Sequence, residues 1–268
     1  MRRFGLIVTC SMAFVAPAAA CGPDTDCQLG DRTYRIQMPE SAEGKVGALI
    51  FAHGYRGSAK GTMRNKALRS LANELGVALV ATKSASQDWL IPGVPENTAE
   101  DGLKEFEYYD ALIDDLEQKF GIDRDNLVAS GFSAGGMMVW NLACQRGGAF
   151  SAFIPIAGTF WQPVPVTCPS FPVNLVHIHG TADKIVPLEG RKIAQTRQGS
   201  VTKAMSLLKT EGVFGDPSQS EGSGLACETA ANDKNQVLGF CTHPGGHSIK
   251  MDYLRKAWQM LQDAGAIQ

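Results

Sequence analysis

Short apolar runs and longer amphipathic stretches take turns through most of this chain. Residues 32–38 alternate, with Tyr34, Ile36 and Met38 on one side, as a half-buried strand does. Short, nearly continuous apolar runs then appear at residues 46–52, 77–81, 127–130, 153–157, 173–178 and 237–241. Strands covered on both faces read this way, as in a parallel sheet under helices. Between the runs the apolar spacing becomes helical. Met63, Ala67, Leu68, Leu71 and Leu75 share one helix face, with Gly76 placed to end it. Thr98 and Asp101 predict a capping box for a long helix through Leu112 and Leu116 to Phe120, stopped at Gly121. A third helix follows Ser133 as far as Cys144, and the last begins near Ser248 and runs through Leu254, Trp258 and Leu261. Strands and helices in this order predict one doubly wound α/β domain, a mostly parallel sheet with helices on both faces. Residues 211–224, rich in Gly, Ser and Pro, predict a surface loop or cap insertion.

The first 20 residues stand outside that rhythm. Arg2 and Arg3 precede an apolar run over 6–15, followed by Pro17 and Ala18-Ala19-Ala20, the order of a secretory signal peptide. The run is shorter than the roughly 20 residues a membrane-spanning helix needs, and no later run approaches that length. The expected mature chain is a single domain over 21–268, secreted or periplasmic and without a membrane span. Cys21 follows the alanines, but a lipid-attachment site wants a branched residue where Ala18 stands, so a cleaved leader is preferred to an anchor.

Composition sharpens this. The chain has 7 Cys, an odd number, and removing the leader takes Cys10 away. The remaining cysteines can pair completely, which implies an oxidising compartment. Nearness in sequence predicts Cys21 with Cys27 and Cys227 with Cys241, leaving Cys144 with Cys168. The 25 basic and 27 acidic residues leave no cationic surplus for a nucleic-acid partner.

The candidate chemistry is carried by Gly131-Phe132-Ser133-Ala134-Gly135-Gly136, at the junction of an apolar run and a helix. That is the setting of a nucleophile elbow, whose turn forces the serine into a strained backbone and whose glycines let strand and helix nearly touch. A serine hydroxyl needs a base to take its proton, and the base needs an acid to orient it. In α/β-hydrolases the order along the chain is Ser, acid, His. Asp183, in His179-Gly180-Thr181-Ala182-Asp183, and His247, after Gly245-Gly246, satisfy it. His247 is preferred to His243 because two glycines precede it and it stands where the chain turns into a helix. His177 and His179 read as core or loop-bracing histidines. Without an H-E-x-x-H spacing, no metal or other cofactor is expected. The oxyanion donors expected are the N–H of Ala134 and that of Tyr55, in the glycine-spaced loop His53-Gly54-Tyr55-Arg56-Gly57.

These residues resemble the family of extracellular polyhydroxybutyrate depolymerases and feruloyl or acetylxylan esterases among the α/β-hydrolases. The resemblance rests on Tyr34-Arg35-Ile36, His53-Gly54, Trp89, Gly131 to Gly136 with Met137-Met138, Ala157-Gly158, His177 to Asp183 with Val186-Pro187, and Gly245-Gly246-His247. It implies a secreted serine esterase with Ser133, Asp183 and His247 as triad, no metal, and a small or polymeric carboxylic ester as substrate. Two places depart from the pattern: Ile249-Lys250 where the family often has Trp-Pro, and Ala134 where polymer depolymerases often carry Asn. Trp89 and Trp161, in loops that follow strands, are candidates to shape the acyl pocket, although a loop tryptophan can equally cover the sheet edge. A peptidase of the same fold and a secreted binding module with a dead site are the competing readings.

Overall fold

The computed structural model describes residues 21–41, 44–95 and 97–268; the leader proposed at 1–20 lies outside them. In chain order the elements are β1 (Cys27–Leu29), β2 (Arg32–Gln37), β3 (Val46–Ala52), α1 (Ala59–Arg64), α2 (Lys66–Glu74), β4 (Ala78–Thr82), α3 (Ala99–Phe120), β5 (Ile122–Phe132) and α4 (Ala134–Gln145). They continue with β6 (Ala152–Ile156), β7 (Leu175–Gly180), the two-residue pair β8 (Lys192–Ile193) and β9 (Thr196–Arg197), α5 (Val201–Glu211), β10 (Ser218–Gly222), β11 (Leu225–Ala231), β12 (Val237–His243) and α6 (Met251–Asp263). The main sheet is ordered β1-β2-β4-β3-β5-β6-β7-β12-β11-β10. Its centre, β4 to β12, is parallel, and an antiparallel pair is added at each edge. This is the α/β-hydrolase fold.

Strand β3 shows why the sheet needs helices on both sides. Ala48 and Ile50 join one core, with α3, α4 and α5, whereas Leu49 and Phe51 join the other, with α1, α2 and α6. Successive side chains of a strand point to opposite faces, so a run without polar residues has no face to offer water. Because the central strands are parallel, their carboxyl ends all meet one edge, where the loops after β3, β4, β5, β6, β7 and β12 gather. Ligands of open α/β sheets bind at that edge.

Most predicted elements are present, with instructive differences. The helix expected through Met63 to Leu75 is broken into α1 and α2 at Asn65, which leaves helical backbone and accepts a hydrogen bond from the Leu68 N–H. The Thr98–Asp101 capping box and the left-handed Gly121 stop frame α3. The stretch expected to be a loop or cap at 211–224 is instead partly strand: β10 pairs antiparallel with β11 and extends the sheet edge. Its exposed residues Ser218, Gln219, Ser220 and Glu221 gave it no apolar alternation to read. All three expected disulfides are formed: Cys21–Cys27, Cys144–Cys168 and Cys227–Cys241. The last joins directly opposed residues of β11 and β12, with Cα atoms 4.0 Å apart.

Candidate active site

Ser133 stands between the last residue of β5 and the first of α4, at φ 60° and ψ −121°. A non-glycine residue in that region costs about 1–3 kcal/mol and persists only where its surroundings over-determine it. Its N–H is held by the Ile156 carbonyl at 2.9 Å and its carbonyl accepts from the Met137 N–H at 2.9 Å. The helix then returns close to the neighbouring strand. A Cβ on Gly135 would lie 2.0 Å from the Ala52 carbonyl oxygen, so no side chain fits there. The strain and the close approach are what the sequence spacing predicted for a nucleophile elbow.

Asp183 follows β7 and is buried. Its Oδ1 accepts from the backbone N–H groups of Ile185 (2.8 Å) and Val186 (2.9 Å), and its Oδ2 lies 2.7 Å from His247 Nδ1. The turn that carries it is stitched to the His247 loop by backbone bonds from Thr181 N to His243 O and from Ala182 N to Gly245 O. An Nδ1–H donated to the carboxylate leaves His247 Nε2 as the basic nitrogen. The half-buried ring of His247 rests against Phe132, the residue before Ser133, with centroids 4.7 Å apart. His243 takes a different part: it is buried, its Nδ1 accepts from the Gly245 N–H, and its ring lies 4.7 Å from that of Tyr253. It shapes the turn that presents His247.

Behind Asp183 lie two buried histidines. His179 Nε2 donates to the Val186 carbonyl at 2.7 Å and lies 3.6 Å from Asp183 Oδ2, while His177 Nε2 is 2.9 Å from His179 Nδ1. Burial holds the pKa of both below the ordinary histidine value. They therefore stay neutral at neutral pH and brace the acid's turn through Val186.

The loop after β3 approaches from the other side. A Cβ on Gly54 would be 3.6 Å from Ser133 Cβ, so this backbone runs beside the nucleophile. Tyr55, next along, is exposed, and Arg56 is pinned by its N–H to the Gln87 carbonyl at 2.8 Å. His53 supports the loop from within. Its Nδ1 donates to the Gly54 carbonyl at 2.8 Å, and its Nε2 accepts from the Ser84 N–H at 3.2 Å. Burial lowers its pKa too. Of the two places open to Trp89, the structure gives it the covering one and not the substrate-facing one. It is 0% exposed, its ring lies against His53 and its Nε1 donates to the His53 carbonyl at 2.8 Å. Trp161 is likewise buried, at 7% exposure, in a bridge with Gln198. A loop tryptophan whose neighbours offer a complementary cavity gains more by filling it than by standing in water. The sequence carried no sign of the His53 and Trp89 bracing, because their partners are backbone groups distant in the chain.

Beside Phe132 and Gly54 a mainly apolar pocket of 240 Å³ reaches toward Leu68, Ile249 and Met251. Among the described residues, no group of His, Cys, Asp or Glu has the arrangement of a metal site.

The family model for phospholipases and carboxylesterases matches residues 33–216. The chain belongs to the phospholipase/carboxylesterase family. It is 28% identical over 242 residues to the inferred esterase NocK of Nocardia uniformis subsp. tsuyamanensis, covering 81% of this chain and 70% of that one. It is 26% identical over 226 residues to feruloyl esterase C of Emericella nidulans, covering 82% and 77%. Among solved structures, an acetyl xylan esterase from Aspergillus awamori superposes with a TM-score of 0.63 at 12% identity, covering 92% of this chain and 96% of that one. At that identity the likeness concerns the fold alone. The family match and the curated relatives make the protein a carboxylesterase-type hydrolase with esterase function.

Proposed function

We propose that the protein hydrolyses carboxylic esters through an acyl-enzyme on Ser133. The observation that carries this is the strained Ser133 on its elbow together with a 2.7 Å bond between His247 Nδ1 and Asp183 Oδ2. In this reading His247 Nε2 takes the Ser133 proton as Oγ attacks the ester carbonyl. Asp183 holds the imidazole tautomer, and the imidazolium then gives its proton to the leaving alkoxide. Water, activated by the same base, releases the acid and restores Ser133. The N–H of Ala134 is at the first helical position, where the helix offers it no partner, and that of Tyr55 follows the Gly54 backbone beside the nucleophile. Both are assigned to the oxyanion.

The relative named for feruloyl esters favours that substrate class over a polyester, in keeping with Ala134 and Ile249-Lys250. A secreted or periplasmic location accords with three disulfides and with the leader read at 1–20. The test is Ser133→Ala. Turnover of short p-nitrophenyl esters should fall by about 10⁶-fold, with an unchanged melting profile. A folded Ser133→Ala protein at wild-type rate would sink the mechanism. Rates of the wild type on feruloyl, acetyl, alkyl and polyhydroxyalkanoate esters then rank the substrates.

A further inference from the structure

On the β4 side of the nucleophile lies an open groove of 700 Å³, lined by Arg56, Gly57, Lys83, Ala85, Ser86 and Gln87. Two of its walls are cations and none is an acid. It adjoins the candidate site directly: Arg56 is two residues beyond Gly54, whose backbone runs beside Ser133. Lys83 is held in place by hydrogen bonds, whereas the Arg56 side chain is exposed. Arg56 has a left-handed backbone, φ 57°, a conformation costly for a long side chain, and its guanidinium lies 5.1 Å from the exposed ring of Tyr55. Lys83 is half-buried, and its Nζ donates to the carbonyls of Ser84 (3.0 Å) and Ser86 (2.9 Å) and to Ser84 Oγ (3.2 Å).

What sets these two cations apart is that both line one groove beside the candidate site without an ion-pair partner. Arg35 is paired with Asp26, Arg146 with Asp110 and Arg255 with Glu74. The nearby Arg32 is committed to the buried Glu105 at 2.8 Å, which also accepts from the Leu90 N–H. Among the described residues no carboxylate lies within ion-pair distance of Arg56 or Lys83. Burial lowers the pKa of Lys83, the nearby Arg32 adds to that, and the Glu105 carboxylate beyond it opposes it. In a chain whose total charge is negative, two cations that line one groove beside the reacting centre, with no carboxylate in its wall, are a place for an anion.

We propose that this groove is a subsite for a carboxylate carried by the ester substrate, with Arg56 and Lys83 as its counter-ions and the Tyr55 ring as a flat wall beside it. The inference rests on the ester-hydrolysis reading and adds a substrate class to it. Two residues extend at most about 7 Å, so the carboxylate stands several bonds away from the ester carbon. It belongs either to the acyl half, as in the monoester of a dicarboxylic acid, or to the alcohol half, as in an ester of a hydroxy acid or uronic acid.

The test uses two substrate pairs on the whole protein. The first compares p-nitrophenyl hemiglutarate with p-nitrophenyl butyrate, and the second compares butyryl 3-hydroxybutyrate as free acid with its methyl ester. The quantity read is the ratio of kcat/KM for the anionic over the neutral member. One pair should favour the anion, and the pair that does so names the half of the substrate involved. In Arg56→Gln that ratio should fall by about fivefold, the upper range for a partly exposed ion pair, and Arg56→Lys should restore most of it. It should also shrink between about 0.01 M and about 0.15 M salt, as the Debye length falls from about 30 Å to about 8 Å. Equal ratios in wild type and Arg56→Gln for both pairs, with the neutral esters still hydrolysed, overturn the subsite alone. A folded wild type that hydrolyses no member of either pair overturns the esterase reading, and the subsite with it.

Discussion

The two flanks of Ser133 are built by different means. On the β7–β12 flank, Asp183 and His247 are fixed mainly by backbone, with His179 and His243 in support: two amides on Asp183 Oδ1, and the stitches from Thr181 and Ala182 that join the acid's turn to the His247 loop. On the β3–β4 flank, the loop assigned to the oxyanion has the backbone bond from Arg56 to Gln87 but is otherwise propped by side chains. His53 ties it to Ser84, Trp89 ties it to the sheet's interior, and Glu105 with Arg32 holds the following segment at Lys83 and Leu90. Backbone scaffolding survives the exchange of most side chains, whereas a loop propped by buried rings depends on each of them.

That contrast can be broken or sharpened by substitution. The largest effect is expected for Asp183→Asn, which leaves the turn's geometry but offers His247 a group that can favour the wrong tautomer. Its kcat should fall by about 10⁴-fold with little change in melting temperature. His53→Phe keeps the ring and removes both hydrogen bonds, so the rate should approach the 10²- to 10³-fold loss of one oxyanion donor. A loss in His53→Phe as large as in Asp183→Asn would erase the difference between the flanks. Replacing Cys227 and Cys241 by Ala removes a covalent rung beside the strand that leads to His247. Chemical denaturation should show a loss of about 3 kcal/mol, with activity at low temperature largely kept.

The smallest effect is a slope with pH. Burial lowers the pKa of His53, His177, His179 and His243 in the folded state. The unfolded chain therefore takes up protons first as the pH drops below about 6.5, and stability present above that value is lost below it. Asp88 acts in the opposite sense. Burial raises its pKa from 3.8 to about 6, so its protonation favours the folded state in that window. Urea unfolding at about pH 7.5 and about pH 5.5 should show lower stability at the acidic point. His53→Phe should flatten the slope by its own share.

The same contrast decides how much could be read from the sequence. Ser133, Asp183 and His247 stand in motifs because each needs a particular backbone, and glycines around Ser133 and before His247 announce it. The disulfides followed from order and nearness. Trp89 stayed undecided because a tryptophan in a loop reads the same whether it faces substrate or fills the space under His53. The break at Asn65 was hidden by an apolar face that continues across both short helices. β10 was hidden because a strand exposed along its length has no burial period to betray it.

That last strand has a consequence for the molecule among its own copies. A sheet of this breadth would offer any neighbouring chain a row of free amides and carbonyls at each end. Here one end is β10, whose outward residues are Ser, Gln and Glu, and the other is β1, only three residues long and clamped by Cys21–Cys27. Short, polar or clamped edges are poor templates for a further strand. The apolar parallel centre is thus shielded from the edge-to-edge stacking that drives β-rich proteins out of solution.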